Sequence, residues 1–175
     1  VFPHAPVRPV TINGGYAMRA WYDITSLDFE DRADVHTLAI SQVHIEQLIE
    51  QQVAAGIPRS RIVLAGFSQG GALTLHTGLR LKENIAGLIV LSAYLPAAAL
   101  VQQQRVASTT KMPIFMAHGT QDGVVRYEYG TLSAQLLRDL GYAVQWHDYA
   151  MAHSVCGEEL TEIGAFLRKL LTSCA

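Results

Sequence analysis

The sequence predicts an α/β fold in which a mostly parallel sheet carries helices on both faces, and three observations predict it. Short apolar runs alternate with stretches of helical spacing from Asp34 onward, the order that builds parallel sheets through helical crossovers. The run from Arg61 to Ala65 is of the short apolar kind that forms a strand covered on both sides. The 175 residues are 50% hydrophobic and 16% charged, with no linker, tandem repeat or low-complexity tract, so residues 1–175 are expected to form one domain.

The elements follow in order. Gly14-Gly15 marks a hairpin or loop turn rather than a phosphate cradle. From Asp34 to Ala55, Leu38, Ile45, Leu48, Ile49 and Val53 recur at helical spacing, and Gly56 and Pro58 stop the helix. Arg61 to Ala65 reads as a short strand buried on both faces, and helical spacing resumes from Gly71 to Leu81. The uncharged run from Ile85 to Val101 approaches the length of a membrane span, but Gly87, Ser92 and Pro96 interrupt it. It is read instead as a strand over Gly87 to Leu91, a turn at Leu95-Pro96 and a short Ala-rich segment. Further strands are expected at Ile114 to Ala117 and Val144 to Tyr149, with helices at Tyr127 to Leu140 and Gly157 to Leu171. Glu158 and Glu159 open the last helix, and Arg168 and Lys169 close it, charges that complement its dipole.

Composition narrows the function. The 13 Lys+Arg balance 15 Asp+Glu for a net charge of −2, and the cations are scattered, which argues against nucleic acid and anionic membranes as partners. Two cysteines, Cys156 and Cys174, are too few for a disulfide framework or a four-ligand zinc site; free thiols and a cytoplasmic location are expected. The first residues lack a signal peptide and an initiator Met, so the chain is expected to begin inside a longer protein. The histidines are not spaced as zinc ligands, and no dinucleotide or Walker-type glycine loop is present, so no metal or cofactor is expected.

In such sheets, reactive residues sit on loops at the carboxyl ends of the strands. Gly66-Phe67-Ser68-Gln69-Gly70 lies between an expected strand and an expected helix, the setting of a nucleophile elbow. Gly66 and Gly70, with Gly71 and Ala72 behind, let strand and helix approach while Ser68 is lifted above the sheet. A serine hydroxyl needs a histidine base and a carboxylate to hold that histidine's tautomer, and in this architecture both follow it in the order acid, then histidine. Asp122 follows the strand from Ile114 and the turn His118-Gly119-Thr120-Gln121, whereas Asp139 falls in a helix and Asp148 in a strand. Among seven histidines, His36, His44 and His76 fall on helices, His147 in a strand, and His4 before the serine. His118 reads as a packing or turn residue, which leaves His153 on the loop between the last strand and last helix. Cys156 has no elbow to present it and reads as an inert thiol at a helix start.

Gly66-Phe67-Ser68-Gln69-Gly70-Gly71, His118-Gly119-Thr120-Gln121-Asp122 and Met151-Ala152-His153-Ser154 together resemble the carboxylesterase and acyl-protein thioesterase family of α/β-hydrolases, in its bacterial form. Phe2 to Pro6, Met18 to Ile24 and Leu91 to Pro96 also resemble family segments, so the likeness runs the length of the chain. The resemblance implies hydrolysis of short- to medium-chain acyl esters, or thioesters, through Ser68, Asp122 and His153, without a cofactor. It implies an oxyanion donor at the Gln69 backbone N–H and an acyl pocket touching Trp21, Tyr94 and Val124. One departure accompanies it: the family's N-terminal strand and oxyanion loop precede the Phe-Pro-His segment, and this sequence begins after them. Loss of one oxyanion donor costs about 10²–10³ in turnover. The alternative is therefore a non-catalytic binding or structural relative that keeps the three residues. Unpaired backbone groups beside the Ser68 strand would cost roughly 1–3 kcal/mol each if buried. That strand is expected to pair with the strand of Val1-Phe2 or with a second copy of the chain, unless the sequence is part of a longer protein.

Overall fold

The computed structural model describes residues 1–26 and 32–172. An antiparallel ribbon comes first, pairing β1 (Val7–Val10) with β2 (Tyr16–Arg19) through a turn in which Gly14 and Gly15 take φ of 66° and 77°. The turn is the one expected, but the two strands carry no sequence signal, because all but Arg8 and Val10 among their residues stay broadly exposed and no apolar alternation develops. Helix α1 (Val35–Ala54) follows, capped by the Asp34 carboxylate, which accepts the Thr37 N–H at 3.0 Å. Then come β3 (Val63–Phe67), α2 (Gln69–Gly78), β4 (Gly87–Leu91), α3 (Ala98–Gln104), β5 (Ile114–Gly119), α4 (Tyr127–Asp139), β6 (Val144–Tyr149) and α5 (Gly157–Thr172). Expected and observed boundaries agree within two residues except at α2, which begins directly after Ser68 and ends at Gly78.

The sheet is parallel throughout, in the spatial order β3-β4-β5-β6. Its side chains alternate between two cores. Leu88, Val90, Ile114 and Met116 face one core with Leu38 of α1, Leu75 of α2 and Leu137 of α4. Ile89, Phe115 and Ala117 face the other with Phe166 of α5, whose ring lies 5.5 Å from Phe115. Burial on both sides, worth about 1.5–3 kcal/mol for each large apolar side chain, explains the unbroken apolar runs of β4 and β5.

Two expectations need correction. β3 is not buried on both faces: it is the sheet's edge strand, its residues half-exposed or exposed, because among the described residues it pairs only with β4. Val1-Phe2 forms no strand and does not pair with it; Phe2 is fully exposed, and Pro3 and Pro6 remove two backbone donors from the segment. A trough of about 610 Å³ runs instead between the first residues and β3, floored by Ile45, Leu64, Leu73 and Leu167. Glu158 and Glu159 open α5 as expected, but the two differ in surroundings, and Glu158 is exposed while Glu159 is not. Glu159 is fully buried, its carboxylate oxygens have no hydrogen bond among the described residues, and burial raises its pKa. Cys156 is a free thiol, and Cys174 lies outside the described residues. No described helix is long and apolar enough to cross a membrane.

His76 of α2 is packed into the first core at 2% exposure, where burial, then the neighbouring Arg80 charge, lowers its pKa to about 3. The unfolded chain binds this proton below its ordinary value of 6.5 and the folded chain does not, so acidification from 6.5 toward 3 erodes stability by up to about 1.4 kcal/mol per pH unit. Above that window the group contributes no slope. His76→Leu is expected to flatten the fall in urea midpoint across this range; an unchanged slope would show that His76 is not the group responsible.

Candidate active site

At the end of β3 the chain turns sharply into α2. Ser68 occupies the turn with φ 55° and ψ −121°, a conformation L-residues avoid at a cost of roughly 1–3 kcal/mol. Its N–H donates to the Leu91 carbonyl at 2.8 Å, which locks the turn onto the end of β4. A Cβ on Gly66 would collide with the Gly70 carbonyl, and one on Gly71 would lie 2.6 Å from Ala93 Cβ and 2.9 Å from the Gly66 oxygen. A Cβ on Gly70 meets nothing nearer than Trp21 Nε1 at 3.9 Å. The close approach therefore rests on the missing Cβ atoms of Gly66 and Gly71, while Gly70 takes part through its carbonyl and has room for a Cβ of its own.

Gln69 opens α2, so its N–H is among those left without an intrahelical acceptor. Its side chain has a role no sequence signal announced. The amide oxygen accepts the Trp21 N–H at 2.7 Å, and the amide nitrogen donates to the Tyr22 carbonyl at 2.8 Å. This two-point clamp, across 48 residues of sequence, holds the Trp21-Tyr22 backbone against the elbow.

Two strands away, Asp122 sits on the β5–α4 turn at 7% exposure. Its Oδ1 accepts the N–H groups of Val124 and Val125 at 2.8 and 2.9 Å, and its Oδ2 accepts from His153 Nδ1 at 2.7 Å. A carboxylate accepts, so the hydrogen of the neutral ring is on Nδ1 and Nε2 keeps its lone pair. The two loops are joined by Thr120 N–H to the Tyr149 carbonyl at 2.9 Å and Gln121 N–H to Met151 at 3.0 Å. Gly119 permits this, since a Cβ there would strike the Met151 and Ala152 carbonyls.

Asp122 and His153 are thus brought together. Ser68 is brought to the same region: the ring of its neighbour Phe67 lies 4.6 Å from the His153 ring, while the Ser68 hydroxyl makes no hydrogen bond among the described residues. Such bonds often tighten only when substrate is present. Trp21 lines the trough beside Gly66 and Gly70. Tyr94 is a core residue whose hydroxyl is 2.9 Å from that of Tyr22, and Val124 is 59% exposed beside Asp122. Of the discarded histidines, His36, His44 and His76 do lie on helices, and His147 stacks on Phe115 at 4.7 Å. His118 lies wholly buried in β5, and burial lowers its pKa. The Cys156 sulfur accepts the Glu159 N–H at 3.5 Å. Among the described residues no group of three His, Cys, Asp or Glu is placed to hold a metal.

A sequence profile described as phospholipase/carboxylesterase matches residues 1–171. The chain is 43% identical to acyl-protein thioesterase 1 of Neurospora crassa, across 100% of this chain and 75% of that protein. It is 38% identical to the protein of the same name from Yarrowia lipolytica, across 93% and 74%. Both are fungal, whereas the sequence resemblance points to bacterial members. Among solved structures, Arabidopsis thaliana SOBER1 superposes with a TM-score of 0.91 at 30% identity, covering 98% of this chain and 83% of its own. Zea mays acyl-protein thioesterase 2 does so with a TM-score of 0.87 at 26% identity, covering 97% and 80%.

Two pairs of substitutions test the geometry. Gly66→Ala is expected to lower unfolding stability by about 1–3 kcal/mol, and Gly70→Ala to leave it unchanged or raise it by up to about 1 kcal/mol through helix propensity; equal effects in urea melts would refute the assignment of the close approach. Gly119→Ala is expected to push the His153 loop from Asp122 and erase the downfield NMR signal of the His153 Nδ1 hydrogen, whereas Gly123→Ala, where a Cβ meets nothing within 4 Å, retains it.

Proposed function

The chain belongs to the phospholipase/carboxylesterase family, which has the α/β-hydrolase fold, and on that premise we propose that it hydrolyses acyl esters or thioesters through Ser68, His153 and Asp122. The observation that carries this reading is the 2.7 Å hydrogen bond from His153 to a buried carboxylate, on loops that share a rim with a strained serine.

The chemistry follows from the atoms. His153 Nε2 takes the Ser68 proton as the oxygen attacks the acyl carbon, and Asp122 stabilises the imidazolium that forms. The Gln69 N–H donates to the oxyanion, assisted by the positive end of α2. His153 then protonates the departing alkoxide or thiolate, and a water deprotonated by the same nitrogen releases the acid from the acyl-enzyme. For the acyl chain, short to medium in length, we assign Trp21 and Val124 as flanking contacts, with Tyr94 supporting them from the core. The names of the curated relatives favour thioesters of acylated proteins among the substrates. The unpaired side of β3 is the surface through which copies of the chain would associate, since free strand edges template pairing.

Ser68→Ala is expected to abolish both turnover of p-nitrophenyl butyrate and covalent capture by a fluorophosphonate. His153→Ala is expected to lower kcat by about 10²–10⁴-fold in folded protein, and unchanged turnover would remove His153 as the base. Folded protein that neither turns over nor is captured would instead be a binding relative.

A further inference from the structure

One buried imidazole beside this site has no part in the mechanism above. The His118 ring is fully enclosed in β5, with its Nε2 2.9 Å from the Val125 carbonyl oxygen. A carbonyl can only accept, so Nε2 carries the hydrogen. The same nitrogen stands 3.4 Å from Asp122 Oδ2, the oxygen that receives the His153 hydrogen bond. Val125 in turn gives its own N–H to Asp122 Oδ1 at 2.9 Å, which closes a ring of contacts through His118, Val125 and Asp122.

The far side of the imidazole is as constrained as the near side. Nδ1 faces Gly130 of α4, where even a Cβ would collide with it, and has no hydrogen-bond partner among the described residues. The Trp146 ring stacks at 6.2 Å, and Tyr127 presents an edge at 6.0 Å. A second proton on Nδ1 would find no acceptor there. The charged groups that act on the ring are Asp122 and Glu128, which favour protonation, and His153, which opposes it; burial outweighs them all and lowers the His118 pKa.

We propose that His118 is a positioning residue: a neutral imidazole with its hydrogen on Nε2 that pins the Val125 carbonyl and lies against Asp122 Oδ2, so that the carboxylate cannot turn away from His153. A carboxylate plane rotates within a broad torsional well, so two amides on Oδ1 alone leave Oδ2 free to swing. An uncompensated buried oxygen would also cost the full desolvation of a charged acceptor. This role rests on the Ser68-His153-Asp122 reading for its effect on turnover, but not for its effect on the Asp122–His153 hydrogen bond.

The test reads both. In the unmodified protein, nitrogen-15 NMR is expected to show His118 neutral and protonated on Nε2 from about pH 5 to 9, the interval in which an ordinary histidine changes charge. His118→Leu is expected to lower kcat about 10–100-fold with KM within about twofold, and to erase the downfield His153 Nδ1 hydrogen signal; a loss confined to kcat marks a transition-state effect. His118→Gln, which returns an N–H near the same place, is expected to restore the signal and most of kcat. The proposal is overturned if His118 titrates in that interval or is protonated on Nδ1, or if folded His118→Leu keeps both the signal and kcat. It is equally overturned if folded His118→Gln lacks the signal, which decides the matter even where the leucine variant fails to fold. Absence of fluorophosphonate capture at Ser68 in the unmodified chain would sink the triad and leave the tautomer and the hydrogen signal to judge His118 separately.

Discussion

The structure around Ser68 depends on strand β3 and helix α2 touching without side chains between them. Gly66 and Gly71 leave room for backbone on backbone, and only in that space can Ser68 hold φ 55° with its N–H on the Leu91 carbonyl. The contact also places the Gln69 side chain where it can grip Trp21 and Tyr22. From there the fixation spreads outward. The Tyr22 hydroxyl meets that of Tyr94 after β4, Ser41 of α1 donates to the Trp21 carbonyl, and Asp23 anchors Thr11 beside the ribbon. A local steric allowance at two glycines thus organises the N-terminal third of the molecule around the elbow.

A second constraint governs the other half of the site. Asp122 is a buried carboxylate, and a buried charge is tolerable only when its lone pairs are occupied. Two turn amides and His153 occupy them, and His118 stands against the remaining side of Oδ2. Gly119 lets the β5 and β6 loops approach closely enough for this. The imidazole of His153 is therefore held by main-chain geometry as much as by its own bond.

Much of this was legible in the residues, for identifiable reasons. The runs that became β4, β5 and β6 were readable because a strand's position in the sheet leaves a trace in its apolar pattern. The strained turn at Ser68 and the meeting of Asp122 with His153 were readable because chain order and strand-end position select among otherwise ordinary residues. What escaped was decided by contacts distant in sequence. The Gln69 clamp spans 48 residues, and the ribbon β1–β2 is too exposed to leave a hydrophobic period. β3 is as apolar as an interior strand, and its place at the edge depends on which neighbours it finds. His118 and Glu159 look like ordinary polar residues until burial makes them otherwise.

The strand order has a consequence for how the molecule is made. Each strand from β3 to β6 adds beside the one synthesised before it, so the sheet can be assembled in the direction of translation. The elbow and the carboxylate turn are both complete before the ribosome reaches residue 153. On the proposed reading, in which His153 is the base for Ser68, the emerging chain carries the elbow without that base until residue 153 is made and its loop docks.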